Sequence, residues 1–143
     1  MVLYFPIKQF SPRFGDEFFT FTISGFSVHD SEMCFSCGDY VLFTFDMQRG
    51  KVKWSVKHRF SEMERMHKTL VSATSLLGIS LPAFPPKTLL PVVADTAFLQ
   101  QRQEALYVYF DTVLKTLSPG GDIESFDTLC DFFSLDSSQV FSQ

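Results

Sequence analysis

Three cationic side chains, Arg59, Lys87 and Arg102, stand apart from the other charged residues of the chain. Arg59 lies where a predicted strand meets a predicted helix, and a guanidinium beside unpaired helix N–H groups favours a phosphate. Lys87 follows a proline-rich segment and is the only charged residue between Lys68 and Asp95. Arg102 interrupts the apolar face of a predicted helix, where a cation needs a partner. Taken alone, Arg59 is also compatible with an ion pair, Lys87 with a solvated side chain and Arg102 with a backbone contact. Together, the three residues favour a bound anion.

The two residues after Arg59 have properties that suit the same site. Phe60 offers an apolar ring face for the flat side of a sugar. Ser61 is predicted as the N-cap of the first helix, with Glu62 and Glu64 in the first turn, where the helix dipole favours anions. The Ser61 hydroxyl can donate a hydrogen bond to a phosphate without adding charge.

Other residues that could carry chemistry are poorly arranged for it. Cys34 and Cys37 form a single CxxC with His29 upstream, but zinc needs a further ligand, and Cys130 lies far along the chain. We interpret these cysteines as reduced thiols and predict neither a metal nor a cofactor. No histidine accompanies a nucleophile motif, and GxSxG, HExxH and glycine-rich phosphate loops are missing, so we predict that the protein is not an enzyme.

The composition describes one domain with a locally basic surface. Of 143 residues, 45% are apolar and 18 are Phe, which is enough for a core and for an aromatic surface that contacts a partner or a membrane. The net charge of −4 argues against a nucleic-acid partner. Seven Lys or Arg against two Glu lie between residues 49 and 68, which predicts one face suited to an anion. No apolar run reaches the ~18 residues of a membrane span, and the three cysteines favour a reducing, cytoplasmic compartment.

Hydrophobic periodicity predicts the elements that position these residues. Alternation of apolar and polar residues predicts strands at 18–26, 40–46 and 51–60, with a turn at 48–50. A first helix follows, with Met63, Met66, His67 and Leu70 on one face, and Gly78 closes it. Residues 81–87 must be extended, because three prolines fix φ and remove hydrogen-bond donors.

Two further helices complete the pattern. Asp95 or Thr96 caps a long helix that continues to about Leu117, and a short amphipathic helix runs from about Ile123 to Leu135. The order predicts an α+β domain, in which a three-stranded antiparallel β-meander precedes a helical subdomain with a polyproline loop between its first and second helices. We expect an N-terminal extension at residues 1–17, the domain at 18–135 and a C-terminal tail at 136–143.

Three motifs, in this order and spacing, resemble those of the phox-homology (PX) family, the phosphoinositide-binding modules found in sorting nexins. Residues 59–63 (RFSEM) are similar to the family's Arg-(Tyr/Phe)-Ser-x-Phe segment. Residues 81–87 (LPAFPPK) match its apolar-Pro-x-x-Pro-x-Lys motif in full. Residues 102–106 (RQEAL) resemble its Arg-x-x-x-Leu helix. The resemblance covers residues 18–135, nearly the whole chain.

The resemblance implies a role for each matching residue. Arg59 would hold the 3-phosphate of an inositol headgroup, and Phe60 would lie under the inositol ring. Lys87 would meet the 1-phosphate. Arg102 would hydrogen-bond the 4- and 5-hydroxyls and so favour phosphatidylinositol 3-phosphate over more highly phosphorylated lipids. Ser61 completes the expected headgroup site.

An uncharged loop beside Lys87 is predicted to enter the membrane interface through Leu89, Leu90, Val92 and Val93, although the same residues would also suit a core plug. The predicted function is therefore recruitment to endosomal membranes that carry phosphatidylinositol 3-phosphate, for trafficking or sorting. A protein partner could strengthen a single weak lipid site. The alternative is a protein-interaction module that uses the PxxP segment Pro82–Pro85 or the acidic C-terminal region, with a weak or vacant lipid pocket.

Overall fold

The computed structural model describes residues 2–30, 39–87, 95–117 and 123–135. Its elements, in chain order, are β1 (Leu3–Tyr4), β2 (Phe18–Asp30), β3 (Asp39–Arg49), β4 (Val52–Arg59), α1 (Phe60–Ser75), α2 (Thr96–Leu117) and α3 (Ile123–Phe133). A 3-10 turn at Pro12–Phe14 lies between β1 and β2. The predicted α+β class, with strands before helices, is confirmed.

The strands form one sheet in the order β1-β2-β3-β4, in which β1 is parallel to β2 and the other neighbours are antiparallel. Side chains alternate between its two faces, as pleated strands require. Phe21 and Phe45 point to the inner face, where they are fully buried and their ring centroids lie 6.2 Å apart. Gly50 turns the chain between β3 and β4 with a φ of 57°, and a Cβ there would lie 2.5 Å from Asp16 Oδ1. Both facts favour glycine at this turn.

The helices cover the inner face of the sheet and close the core. Met63, Met66 and Leu70 are buried on one side of α1, as their helical spacing predicts. In α2, Phe110 is fully buried and meets the Phe45 ring edge to face at 5.3 Å. Aromatic pairs in this geometry contribute about 0.5–1.5 kcal/mol beyond the burial of their area. Stacked and edge-to-face rings therefore account for much of the high Phe content.

The N-terminal segment adds a strand that periodicity did not predict. β1 is two residues long, which is too short to show an alternating pattern. Tyr4 is buried, and its hydroxyl donates to Asp111 Oδ1 of α2 at 2.5 Å. Burial, followed by the hydrogen bond to Asp111, raises the pKa of Tyr4 far above its usual value. The division of the chain at residues 17 and 135 stays a prediction.

The first helix begins two residues earlier than predicted, and Ser61 is not its N-cap. β4 passes into α1 with no intervening residue, so Arg59 is the N-cap and Ser61 is an exposed residue of the first turn. The carboxylate of Glu62 makes the earlier start possible, because its Oε1 accepts a hydrogen bond from the Arg59 backbone N–H at 3.0 Å. At α2 the prediction is confirmed, since Asp95 Oδ1 accepts from the Phe98 N–H at 3.0 Å.

Three predictions fall on segments outside the described residues. These are the CxxC at residues 34–37, the uncharged loop at 89–93 and the tail at 136–143. Residues 79–87 are described and take no helix or strand, as the prolines predict.

Candidate functional site

The junction of β4 and α1 places Arg59 at the edge of the sheet. Residues of β4 alternate between exposed and partly buried, and Arg59 is one of the exposed ones. Its guanidinium carbon lies 4.6 Å from the centroid of the Tyr40 ring, near the start of β3. Arg59 pairs with Leu42 in the antiparallel β3–β4 register, and Tyr40 is two residues from Leu42. This register brings the side chains of Arg59 and Tyr40 together. The cation therefore stands at a helix N-terminus, which favours anions.

Phe60 and Arg102 form the centre of the arrangement. The guanidinium carbon of Arg102 lies 3.7 Å from the centroid of the Phe60 ring and 4.7 Å from that of Phe98. Its Nη2 donates to the carbonyl oxygen of Pro86 at 3.1 Å. Burial lowers the pKa of Arg102 from its usual value, and the nearby carboxylate of Glu64 opposes this change. The guanidinium remains charged, because arginine is the most strongly basic side chain in proteins.

Phe84 packs the proline-rich segment against the helices. Phe84 contacts Phe60 with ring centroids 5.0 Å apart, and it also packs on His67 of α1 and Tyr109 of α2. This anchoring presents the Pro86 carbonyl to Arg102 and leaves the adjacent Lys87 exposed. The prolines restrict the backbone between these two points.

The cations of this region have no carboxylate partner in the described ranges. Neither Arg59 nor Lys87 nor Arg102 makes an ion pair there, whereas Glu62 is engaged by His58 at 3.2 Å and by the Arg59 N–H. Burial alone would raise the pKa of Glu62, but these hydrogen bonds outweigh it and hold the pKa below its usual value. The charges of the three cations are therefore available to an external anion.

The structure joins most of the predicted site residues through a chain of contacts. Arg59 and Phe60 are neighbours in sequence, Phe60 contacts Arg102, and Arg102 binds the residue before Lys87. Ser61 is exposed next to them. Their role in binding a headgroup stays a prediction, as does insertion of Leu89, Leu90, Val92 and Val93, which lie outside the described residues.

Sequence reasoning missed two aromatic residues that contact this site. Tyr40 lies under Arg59, and Phe84 holds the proline-rich segment. Tyr40 was detectable in principle, because it starts one predicted strand and Arg59 ends the next, and a tight turn between antiparallel strands brings those ends together. Phe84 had a weaker signal, as a lone aromatic residue among prolines.

A separate cleft of about 440 Å³ lies on the outer face of the sheet, and no predicted site residue lines it. Its lining includes Ile7 of the N-terminal segment and Thr20, Asp46 and Lys53 of the sheet. Thr20 is 1% exposed, and its hydroxyl has no hydrogen-bond partner in the part of the chain that is described. Asp46 accepts a hydrogen bond from Ser55 at 2.8 Å.

Within the described ranges, no three His, Cys, Asp or Glu residues come together in a way that could hold a metal ion. Among the helices of the same ranges, none combines the length and hydropathy needed to span a bilayer.

Comparison with known proteins identifies the family. The family model described as the PX domain matches residues 46–134, which include the candidate cations and Phe60. The fold is similar to the X-ray structure of a designed CISK-PX domain, with a TM-score of 0.60 and 20% identity over 75% of this chain and 94% of that one. No curated protein sequence matches the chain. The chain thus carries the PX sequence pattern on a PX-like fold, and it belongs to the PX domain family.

Proposed function

We propose that this domain recognises phosphatidylinositol 3-phosphate and thereby recruits the protein to endosomal membranes from the cytoplasm, for trafficking or sorting. PX domains are non-enzymatic phosphoinositide-binding modules of membrane trafficking, so the class of ligand follows from the family. The lipid species and the membrane are our inference from the site.

The observation that carries the proposal is that the cations connected by sequence and by direct contact to Phe60 and Pro86 have no carboxylate partner in the described residues. Within the described residues, Arg59, Lys87 and Arg102 lack carboxylate partners, and Arg102 lies on Phe60. A phosphorylated inositol offers phosphates for guanidinium and ammonium groups and hydroxyls for the remaining N–H donors. With Arg102 assigned to hydroxyls, Arg59 and Lys87 remain for phosphates, so these residues suit a headgroup with few phosphates.

In the bound state, Arg59 would hold the 3-phosphate, since it is exposed at the N-terminus of α1. Lys87 would meet the 1-phosphate that leads to the lipid, and Ser61 would donate a hydrogen bond from the first turn of α1. The inositol ring would pack on Phe60. Arg102 would then turn from the Phe60 ring toward the 4- and 5-hydroxyls.

The free energy lost when Arg102 leaves the Phe60 ring is smaller than the free energy gained from hydrogen bonds to the ligand. A cation–π contact at a partly exposed site contributes about 0.5–1 kcal/mol. Hydrogen bonds that involve a charged group contribute about 1.5–3 kcal/mol. Exchange of the Phe60 contact for hydrogen bonds to the ligand is therefore favourable when Nη2 keeps its bond to the Pro86 carbonyl, and the stack keeps the guanidinium beside the site until the ligand arrives.

The test is sedimentation with liposomes that each contain one phosphoinositide, combined with calorimetry on short-chain soluble forms. We expect the wild type to bind phosphatidylinositol 3-phosphate and Arg59→Ala to lose at least about tenfold in affinity, because a charge-assisted phosphate contact is removed. Arg13→Ala is the matched control, since Arg13 is an exposed arginine outside the site. Equal binding of Arg59→Ala and the control, with unchanged melting temperatures, would refute the site.

The same experiment addresses the alternative function. If the wild type binds none of the phosphoinositides, the domain is better explained as a protein-interaction module that uses Pro82–Pro85 or the C-terminal region. Arg102 donates a hydrogen bond to the Pro86 carbonyl, and Phe84 packs on Phe60. The prolines therefore already have a structural role within the domain. For this reason we favour the lipid-binding function.

A further inference from the structure

We propose that Tyr40 is a positioning residue that orients Arg59 for the phosphate without reducing its charge. The inference rests on the proposed function, because it assigns to Tyr40 a role in the same phosphoinositide site. It begins from the contact already described, in which the Arg59 guanidinium carbon lies 4.6 Å from the Tyr40 ring centroid.

Arg59 needs such a support because it is exposed. A long exposed side chain samples many rotamers, and fixing it on a ligand costs conformational free energy. A carboxylate partner would reduce that cost, but it would also compete with the phosphate for the same N–H donors. An aromatic face attracts the guanidinium through its quadrupole and leaves all five N–H donors of the planar group available.

Tyr40 is itself fixed by its neighbours across the sheet. His29 pairs with Tyr40 in the β2–β3 register, and their rings stack with centroids 5.5 Å apart at an angle of 18°. The His29 ring is in turn held by a hydrogen bond of 2.7 Å between its Nε2 and the Ser27 hydroxyl. The result is a row from Ser27 through His29 and Tyr40 to Arg59 across three strands.

The contacts of this row should contribute less to the stability of the fold than the core contacts do. Tyr40 is only partly buried, and the core rings lie on the inner face of the sheet. Loss of the Tyr40 ring should thus affect the position of Arg59 more than it affects folding. The hydroxyl of Tyr40 is not needed for this role, since the ring face alone makes the contact.

The experiment compares Tyr40→Leu with Tyr40→Phe, which keeps the ring. We expect Tyr40→Leu to weaken binding of soluble dibutanoyl phosphatidylinositol 3-phosphate by about two- to fivefold, the equivalent of an exposed cation–π contact. Tyr40→Phe should bind within experimental error of the wild type. In an Arg59→Ala background, Tyr40→Leu should cause no further loss, because the ring then has no guanidinium to orient.

A second measurement detects the contact between Arg59 and the Tyr40 ring in the absence of ligand. In the wild type, the ring current of Tyr40 should shift the Nε–Hε resonance of Arg59, and the shift should persist in Tyr40→Phe and vanish in Tyr40→Leu. If Tyr40→Leu does not fold, Tyr40→Met provides the same comparison. A shifted Arg59 resonance in a wild type that binds no phosphoinositide would refute the proposed function and leave the contact intact. Undiminished binding by a folded Tyr40→Leu, or an unshifted wild-type resonance, would refute the role of Tyr40.

Discussion

The guanidinium of Arg102 lies directly on the ring of Phe60, with its central carbon 3.7 Å from the ring centroid. These residues are 42 positions apart in the chain and belong to different helices, α2 and α1. The contact brings a cation to the apolar surface that would receive an inositol ring. It also gives Arg102 a position in the unliganded domain, from which a short movement would reach the hydroxyls of a bound headgroup.

Arg102 should determine which phosphoinositide is preferred. With its guanidinium on the side of the 4- and 5-hydroxyls, additional phosphates there would be crowded, so the wild type should bind the 3-phosphate more tightly than the 3,4,5-trisphosphate. Arg102→Gln should lose about tenfold in affinity for the 3-phosphate, because charged hydrogen bonds are removed. Calorimetry with soluble headgroups measures both effects, with Arg13→Gln as the control. Equal or tighter binding of the trisphosphate by the wild type would contradict this role.

The uncharged loop should contribute to membrane binding and not to headgroup binding. Leu90→Asp combined with Val92→Asp would require two carboxylates to enter an apolar and anionic interface, which costs several kcal/mol. We expect a large loss of liposome binding and little change in affinity for the soluble headgroup. Val108→Asp is a suitable control, since Val108 is 62% exposed on α2, outside the loop. A parallel loss of soluble-headgroup affinity would show that the loop is structural.

His67 should make the stability of the domain depend on pH in the mildly acidic range. Burial lowers the pKa of His67 below its usual value of 6.5, although the charge of Glu64 acts in the opposite direction. The unfolded chain therefore binds a proton at a higher pH than the folded domain does. The stabilising contribution of neutral His67 is complete above pH 6.5, and it decreases as the pH falls toward the lowered value.

Denaturant unfolding at pH 7.5 and pH 5.5 measures this dependence. Besides Glu64, the groups facing His67 are the Tyr109 hydroxyl, 2.6 Å from its Nδ1, and the Phe84 ring. We expect His67→Gln to show a smaller loss of unfolding free energy between these pH values than the wild type. Glu62 changes the unfolding free energy only below this pH range, because its pKa is lowered from a usual value of 4.5. An equal pH dependence in both proteins would show that His67 is not responsible.

Thr20→Val should stabilise the domain. The Thr20 hydroxyl is buried without a hydrogen-bond partner in the described chain, and leaving such a group unsatisfied costs about 1–3 kcal/mol. Valine has nearly the same shape and favours strands. Thr74→Val is a matched control, because Thr74 is equally buried but donates to the Leu70 carbonyl at 2.8 Å. Unfolding experiments should show a gain for Thr20→Val and none for Thr74→Val. A loss at Thr20 would mean that a bound water or ligand in the outer cleft satisfies the hydroxyl.

Much of the fold could be read from the sequence, because its signals are local. Alternation of apolar residues in 18–26 and 40–46 predicted strands, and the spacing of Met63, Met66 and Leu70 predicted the buried side of α1. These patterns arise from the periods of the strand and the helix, which depend only on neighbouring residues. Prediction failed where the local signal was too short, or where it was compatible with more than one residue. β1 has two residues, and the sequence indicates Ser61 as the N-cap, whereas the N-cap is Arg59, whose backbone N–H donates to Glu62.

For the site, residue types and motifs predicted the chemistry, since they singled out Arg59, Phe60, Lys87 and Arg102. How these residues are arranged follows from long-range packing. The stack of Arg102 on Phe60 and the bond from Arg102 to the Pro86 carbonyl depend on how α2 packs beside α1 and the proline-rich segment. The support of Arg59 by Tyr40 likewise depends on the register between β3 and β4. Such contacts join residues distant in sequence, and no local period encodes the packing that brings them together.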